Sequence, residues 1–149
     1  MASALVRSLL PIHRMKPRRR DLGELRGVSI LVVDDDPAVG CAVARLLASA
    51  GASVRRAETG AQAVSLVAAE GVDLLLTDVD MPCGDGPEVA RAVVELEPHV
   101  VVVFMSGRPH DMHVATGKLA PTDHCMLKPF TPKHLVATLS ATLADRRAS

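Results

Sequence analysis

From Gly27 onward, short apolar runs rich in Val and Leu alternate with stretches whose apolar residues recur at helical spacing. "VSILVV" (28–33) is a β-branched run and reads as a strand, and "PAVGCAVARLLASAG" follows, with Val39, Val43, Leu46 and Leu47 on one helical stripe and Gly51 as its stop. "SVRRA" reads as a second strand and "GAQAVSLVAAEG" as a second helix. "DLLLT" is a third strand, and Pro87 suits the first turn of the helix "GPEVARAVVEL". "VVVVFMS" is apolar on both faces, which predicts a strand covered on both sides. "HDMHVATGKL" allows a short helix that Pro121 cannot continue, and "HCMLK" is a fifth strand. Thr131 as N-cap, Pro132 at the first position and Arg146 and Arg147 near the end define a last helix. Five strands alternating with five helices predict an α/β fold: a doubly wound five-stranded parallel sheet joined by right-handed crossovers, with helices on both faces.

The chain has 149 residues, enough for one sizeable core. Its 48% hydrophobic content argues for folding, but with two Phe and no Tyr or Trp the core must be aliphatic. Stacking on nucleic-acid bases has no platform in such a composition. Residues 1–20 hold six basic groups and no acid, so the remainder sets eleven basic residues against seventeen acidic ones. An acidic body does not suit direct nucleic-acid binding. Residues 1–26, interrupted by Pro11 and Pro17, read as a separate basic, disordered tail, and 27–147 as the folded domain. Cys41, Cys83 and Cys125 show no ligand spacing and suit a reducing compartment, and no apolar run is long enough to span a membrane. A cytoplasmic protein with no membrane contact is the expectation.

In an open parallel sheet, functional groups gather at the carboxyl ends of the strands, beside the point where strand order reverses. Here those ends read "VVDDD", "LLTD", "VFMS" and "CMLK", delivering Asp34, Asp35, Asp78, Ser106 and Lys128 to one edge. In the flavodoxin-like order 2-1-3-4-5, strands one and three are neighbours, which sets the acidic pair beside Asp78. Carboxylates held together repel, so one gains a proton or a cation binds. Oxygen ligands suit a hard ion, and Mg²⁺ fits best because it retains waters and accepts a phosphoryl oxygen. Lys128 adds a point charge for an anion and Ser106 a hydroxyl donor. A metal, a carboxylate nucleophile, a lysine and a hydroxyl together make a phosphoryl-transfer site.

These residues carry a family resemblance. "ILVVDDDP", "DLLLTDVDMPCGDG", "VVVVFMSG" and "CMLKPF", in that order and each at a strand end, resemble the receiver domain of bacterial two-component response regulators. The resemblance implies a stand-alone receiver that signals without being an enzyme beyond slow self-dephosphorylation. It makes Asp78 the phospho-acceptor, loaded by a sensor histidine kinase or a histidine phosphotransfer protein. It makes Asp34, Asp35 and Asp78 the Mg²⁺ ligands together with the backbone carbonyl of Asp80, and gives Ser106 and Lys128 the phosphoryl oxygens. It also implies a cis Lys128–Pro129 bond, an unidentified downstream protein target, and homodimerisation through the fourth helix, fifth strand and fifth helix.

The chain departs from the pattern at Cys125, three residues before Lys128, where the family often carries Tyr or Phe. Asp80 and Arg108, each two residues past a site group, are expected to pair across the mouth of the site. Asp36 reads as a cap or loop acid rather than a metal ligand, and Asp85 and Gly86 as shaping the turn before the third helix. His110 and His113, three apart, read as a solvated helix face rather than a metal pair. Two other readings fit the same residues. One is a phosphorylation-independent binding module. The other is a phosphatase resembling the haloacid-dehalogenase type, whose Asp-x-Asp motif "DVD" echoes.

Overall fold

The computed structural model describes residues 24–82 and 84–148. The elements are β1 (Ser29–Val33), α1 (Pro37–Ser49), β2 (Ser53–Ala57), α2 (Gly60–Ala69), β3 (Leu74–Asp78), α3 (Gly86–Leu96), β4 (Val101–Ser106), α4 (His110–Ala115), β5 (His124–Leu127) and α5 (Pro132–Ala148). The five strands form one parallel sheet in the order β2-β1-β3-β4-β5, as the alternating pattern predicts.

Strand alternation divides the core into two layers. Ile30, Val32, Leu74, Leu76, Val103 and Met105 face one side, where Val43 and Leu47 of α1 and Leu135, Leu139 and Leu143 of α5 cover them. Leu31, Val33, Leu75 and Phe104 face the other, against Ala63 and Val67 of α2 and Val89, Ala90 and Val93 of α3. Because each central strand feeds both layers, every residue of Leu74–Thr77 is buried. The packed unit reaches back to Leu25, which is fully buried and donates its N–H to Ala50 O at 3.2 Å. The basic segment before it lies outside the described residues.

Three side-chain caps start the helices that flank the site, and Asp85, read from the sequence only as part of a turn, is one of them. Asp36 accepts the N–H groups of Ala38 and Val39 at the start of α1. Asp85 accepts Glu88 N–H at 3.0 Å ahead of α3, and Thr131 accepts His134 N–H at 3.0 Å ahead of α5. The Lys128–Pro129 bond is cis. Among the described residues, no helix is long and apolar enough to cross a membrane.

Candidate functional site

The backbone ladder runs one residue beyond β1 and β5, and this fixes two of the site's side chains. Asp34 N–H bonds Ala57 O at 3.1 Å, and Lys128 N–H bonds Ser106 O at 2.7 Å. Val79 N–H bonds Met105 O at 2.9 Å, holding the residue after Asp78 against β4. Four strand ends therefore converge as the sequence implied, and the register pairs Asp78 with Met105 and Ser106 with Leu127.

The three consecutive acids after β1 divide their work. Asp34 is 2% exposed. Its Oδ1 accepts Asp36 N–H at 2.9 Å, which locks the turn into α1, and its Oδ2 lies 3.2 Å from Lys128 Nζ. Asp35 points outward, and Asp36 caps the helix. One carboxylate oxygen each from Asp34, Asp35 and Asp78 lies within 4.8 Å of the others. This is an all-oxygen donor set with one buried, one exposed and one half-buried member, the chemistry of a hard divalent cation that keeps part of its hydration. The residues present fit Mg²⁺.

Lys128 bridges the cluster. Its Nζ is 3.2 Å from Asp34 Oδ2 and 3.4 Å from Asp78 Oδ1. Burial works against the ammonium, but the charges of Asp78 and Asp34 and their hydrogen bonds outweigh it and hold its pKa above the usual lysine value. The pKa of Asp78 is raised as well, which for a carboxylate disfavours the charged form. Burial raises its pKa most, Lys128 opposes this, and Asp34 and Asp35 add to the rise. The ionised Asp78 is thus held in an environment that favours capture of positive charge.

Ser106 is 1% exposed, and its hydroxyl is already engaged. Oγ accepts Arg108 N–H at 2.9 Å and lies 2.7 Å from His113 Nε2. This corrects the expectation of a solvated histidine pair: His113 is 2% exposed, while Met112 beside it is 51% exposed. Hydropathy ranks the two in the opposite order. The six-residue helix is too short for periodicity to show which face turns inward, and the buried polar partner that draws His113 in lies seven residues away. Burial lowers the His113 pKa, against the opposing charge of Asp80, and so favours the neutral ring.

Asp80 faces the mouth. Arg108 Nε lies 3.9 Å from its Oδ2, as the predicted pairing has it, but a closer partner was missed: Lys118 Nζ stands 2.5 Å from Oδ1. The hydrogen bond from Lys118 depresses the Asp80 pKa, with its charge and that of Arg108 assisting against a smaller burial effect. Cys125 is half-buried at the edge of the α2–α3 layer, and burial raises its thiol pKa, so it packs as a small apolar group. Cys83 lies outside the described residues.

Comparison with known proteins agrees with this geometry. The response regulator receiver domain family matches residues 30–140. Transcriptional regulatory protein TrcR of Mycobacterium tuberculosis is 33% identical over 142 residues, covering 90% of this chain and 54% of that one. Response regulator MprA of Mycobacterium bovis is 35% identical over 116 residues, covering 78% of this chain and 50% of that one. The chain spans about half the length of these curated relatives. A solved response regulator receiver protein from Sinorhizobium medicae superposes with a TM-score of 0.70 at 29% identity, covering 80% of this chain and 96% of that one. The chain belongs to the response regulator receiver domain family of two-component signalling systems.

Proposed function

We propose that Asp78 is a phospho-acceptor loaded from a phosphohistidine on a sensor kinase or a histidine phosphotransfer protein. The observation that carries this reading is the Lys128 ammonium set between Asp34 and Asp78 beside a three-carboxylate oxygen cluster. In the transfer, an Asp78 carboxylate oxygen bonds to phosphorus as the donor's phosphorus–nitrogen bond breaks. The imidazole departs with the bonding electron pair and takes a proton from solvent. Lys128 then exchanges its contact with Asp78 Oδ1 for a phosphoryl oxygen, and the Ser106 hydroxyl donates to another. Asp34, Asp35 and Asp78, with the Asp80 carbonyl, would hold Mg²⁺, which when bound neutralises charge on the incoming phosphoryl group.

Output runs through protein contacts. The exposed Met112 on α4 and Leu127 on β5 offer apolar surface for a target or a second copy. The decisive experiment is incubation with Mg²⁺ and acetyl phosphate, followed by intact mass measurement of the wild type and of Asp78→Asn. A single phosphoryl gain in the wild type alone supports the reading. An equal gain in both overturns it, and multiple turnover of phosphate esters would support a phosphatase instead.

A further inference from the structure

Ser106 and His113 meet in a buried hydrogen bond that the phosphoryl chemistry does not itself require. Oγ sits 2.7 Å from Nε2, and Arg108 N–H donates to the same oxygen at 2.9 Å. With the ring neutral and Nε2 unprotonated, the hydroxyl donates its one proton to His113 while its oxygen accepts from Arg108. All three groups are then satisfied. A phosphoryl group bears only acceptor oxygens at its periphery. A serine hydroxyl can therefore bind it only by donating that same proton. In that tautomer the bond to His113 and a bond to phosphate exclude each other.

We propose that His113 is a positioning residue that latches the Ser106 hydroxyl in the resting state, and that phosphoryl capture opens this latch. The inference rests on the phospho-acceptor reading of Asp78. His113 is also the root of the turn after α4. Its carbonyl accepts Lys118 N–H at 2.9 Å and Leu119 N–H at 3.2 Å, and Lys118 reaches Asp80 at the mouth of the site. Release of the imidazole therefore acts on the segment that carries the Asp80 partner. One buried side chain joins the strand-end hydroxyl, α4 and the rim. Cys125, with only a weak S–H donor, offers no comparable polar link.

The test is ¹⁵N side-chain NMR of His113 in the full chain, alone and with Mg²⁺ and BeF₃⁻ as the phosphoryl mimic. The resting protein should show an unprotonated, hydrogen-bonded Nε2. Its resonance should move to the free-acceptor position when the mimic binds. Ser106→Ala should produce the same shift without any mimic. His113→Ala and His113→Gln should bind BeF₃⁻ more tightly than the wild type, roughly fivefold for alanine, the factor of one net hydrogen bond, and less for glutamine, which restores an acceptor. A proton on Nε2 at rest, or no shift in Ser106→Ala, overturns the latch. So does bound mimic with an unmoved His113 resonance, or weaker binding in both folded His113 variants. No binding of the mimic by the wild type, together with no phosphoryl mass gain, overturns the phospho-acceptor reading and the latch with it.

Discussion

Lys118 Nζ lies 2.5 Å from Asp80 Oδ1, tying the turn after α4 to the loop after β3, two residues past Asp78. Arg108 stands on the other Asp80 oxygen at the longer distance of 3.9 Å and is 64% exposed. The rim is therefore closed mainly by Lys118. If it limits water entry to a phosphorylated Asp78, Lys118→Ala and Asp80→Ala should both speed loss of the phosphoryl group. Exposed pairs are weak, so the change should be at most about fivefold. Arg108→Ala should do less. Decay of the phosphorylated mass after donor removal measures this, and equal rates in all four proteins would sink the idea.

The Lys128 bridge sets up a competition. Its Nζ holds oxygens of two of the three acids that would ligate Mg²⁺. Lys128→Ala should therefore bind Mg²⁺ more tightly while losing phosphoryl capture. Mg²⁺ at ten times its Kd should stabilise the wild-type fold by about 1.4 kcal/mol through mass action. Asp34→Asn and Asp35→Asn should lose most of that gain. Thermal melts across a MgCl₂ series, matched for ionic strength with NaCl, give the comparison.

Asp78 gives the fold a pH dependence of definite sign in metal-chelating buffer. Its folded pKa is raised above the unfolded value, burial being the main cause. Ionised Asp78 is thus tolerated less well in the folded state than in the unfolded chain. The resulting penalty is absent below the unfolded pKa. It grows as pH rises from that value through the folded pKa and is constant above it. Asp78→Asn should be more stable than the wild type at neutral pH, and the difference should shrink on acidification toward pH 4. Urea midpoints of the two proteins at several pH values would refute this if the gap stayed flat or widened.

The strand ends were legible because continuous apolar runs alternated with stretches of helical period. Strands apolar on both faces implied a parallel sheet covered on both sides, and the acids, serine and lysine stood where those runs stopped. The division of labour within Asp34–Asp36 was partly legible, since a cap must precede Pro37. His113 and Lys118 were not. Both lie in or after a six-residue helix with almost no periodic signal, and each is placed by a partner on a different strand end: Ser106 for one, Asp80 for the other. Such polar pairings depend on the packing of α4 against the sheet, which no local pattern encodes.

Gly86 marks where helix packing and site geometry meet. It opens α3, and its N–H donates to Val79 O at 2.8 Å, pressing the helix start onto the end of β3. A Cβ there would fall 2.0 Å from the Asp78 carbonyl oxygen and 2.9 Å from its carbon. Both atoms are backbone, so no rotamer change relieves the clash. Either α3 lifts or the peptide of Asp78 moves. Gly86→Ala should therefore destabilise the fold by about 3 kcal/mol, the upper part of the overpacking range, and should lower phosphoryl uptake even under conditions where the variant is fully folded. Gly107→Ala is the matched control: it directly follows the site residue Ser106, yet a Cβ there meets nothing within 4 Å. Urea unfolding and acetyl phosphate labelling of both variants test the pair. A Gly86→Ala protein as stable and as readily labelled as Gly107→Ala would show that the contact does not position Asp78.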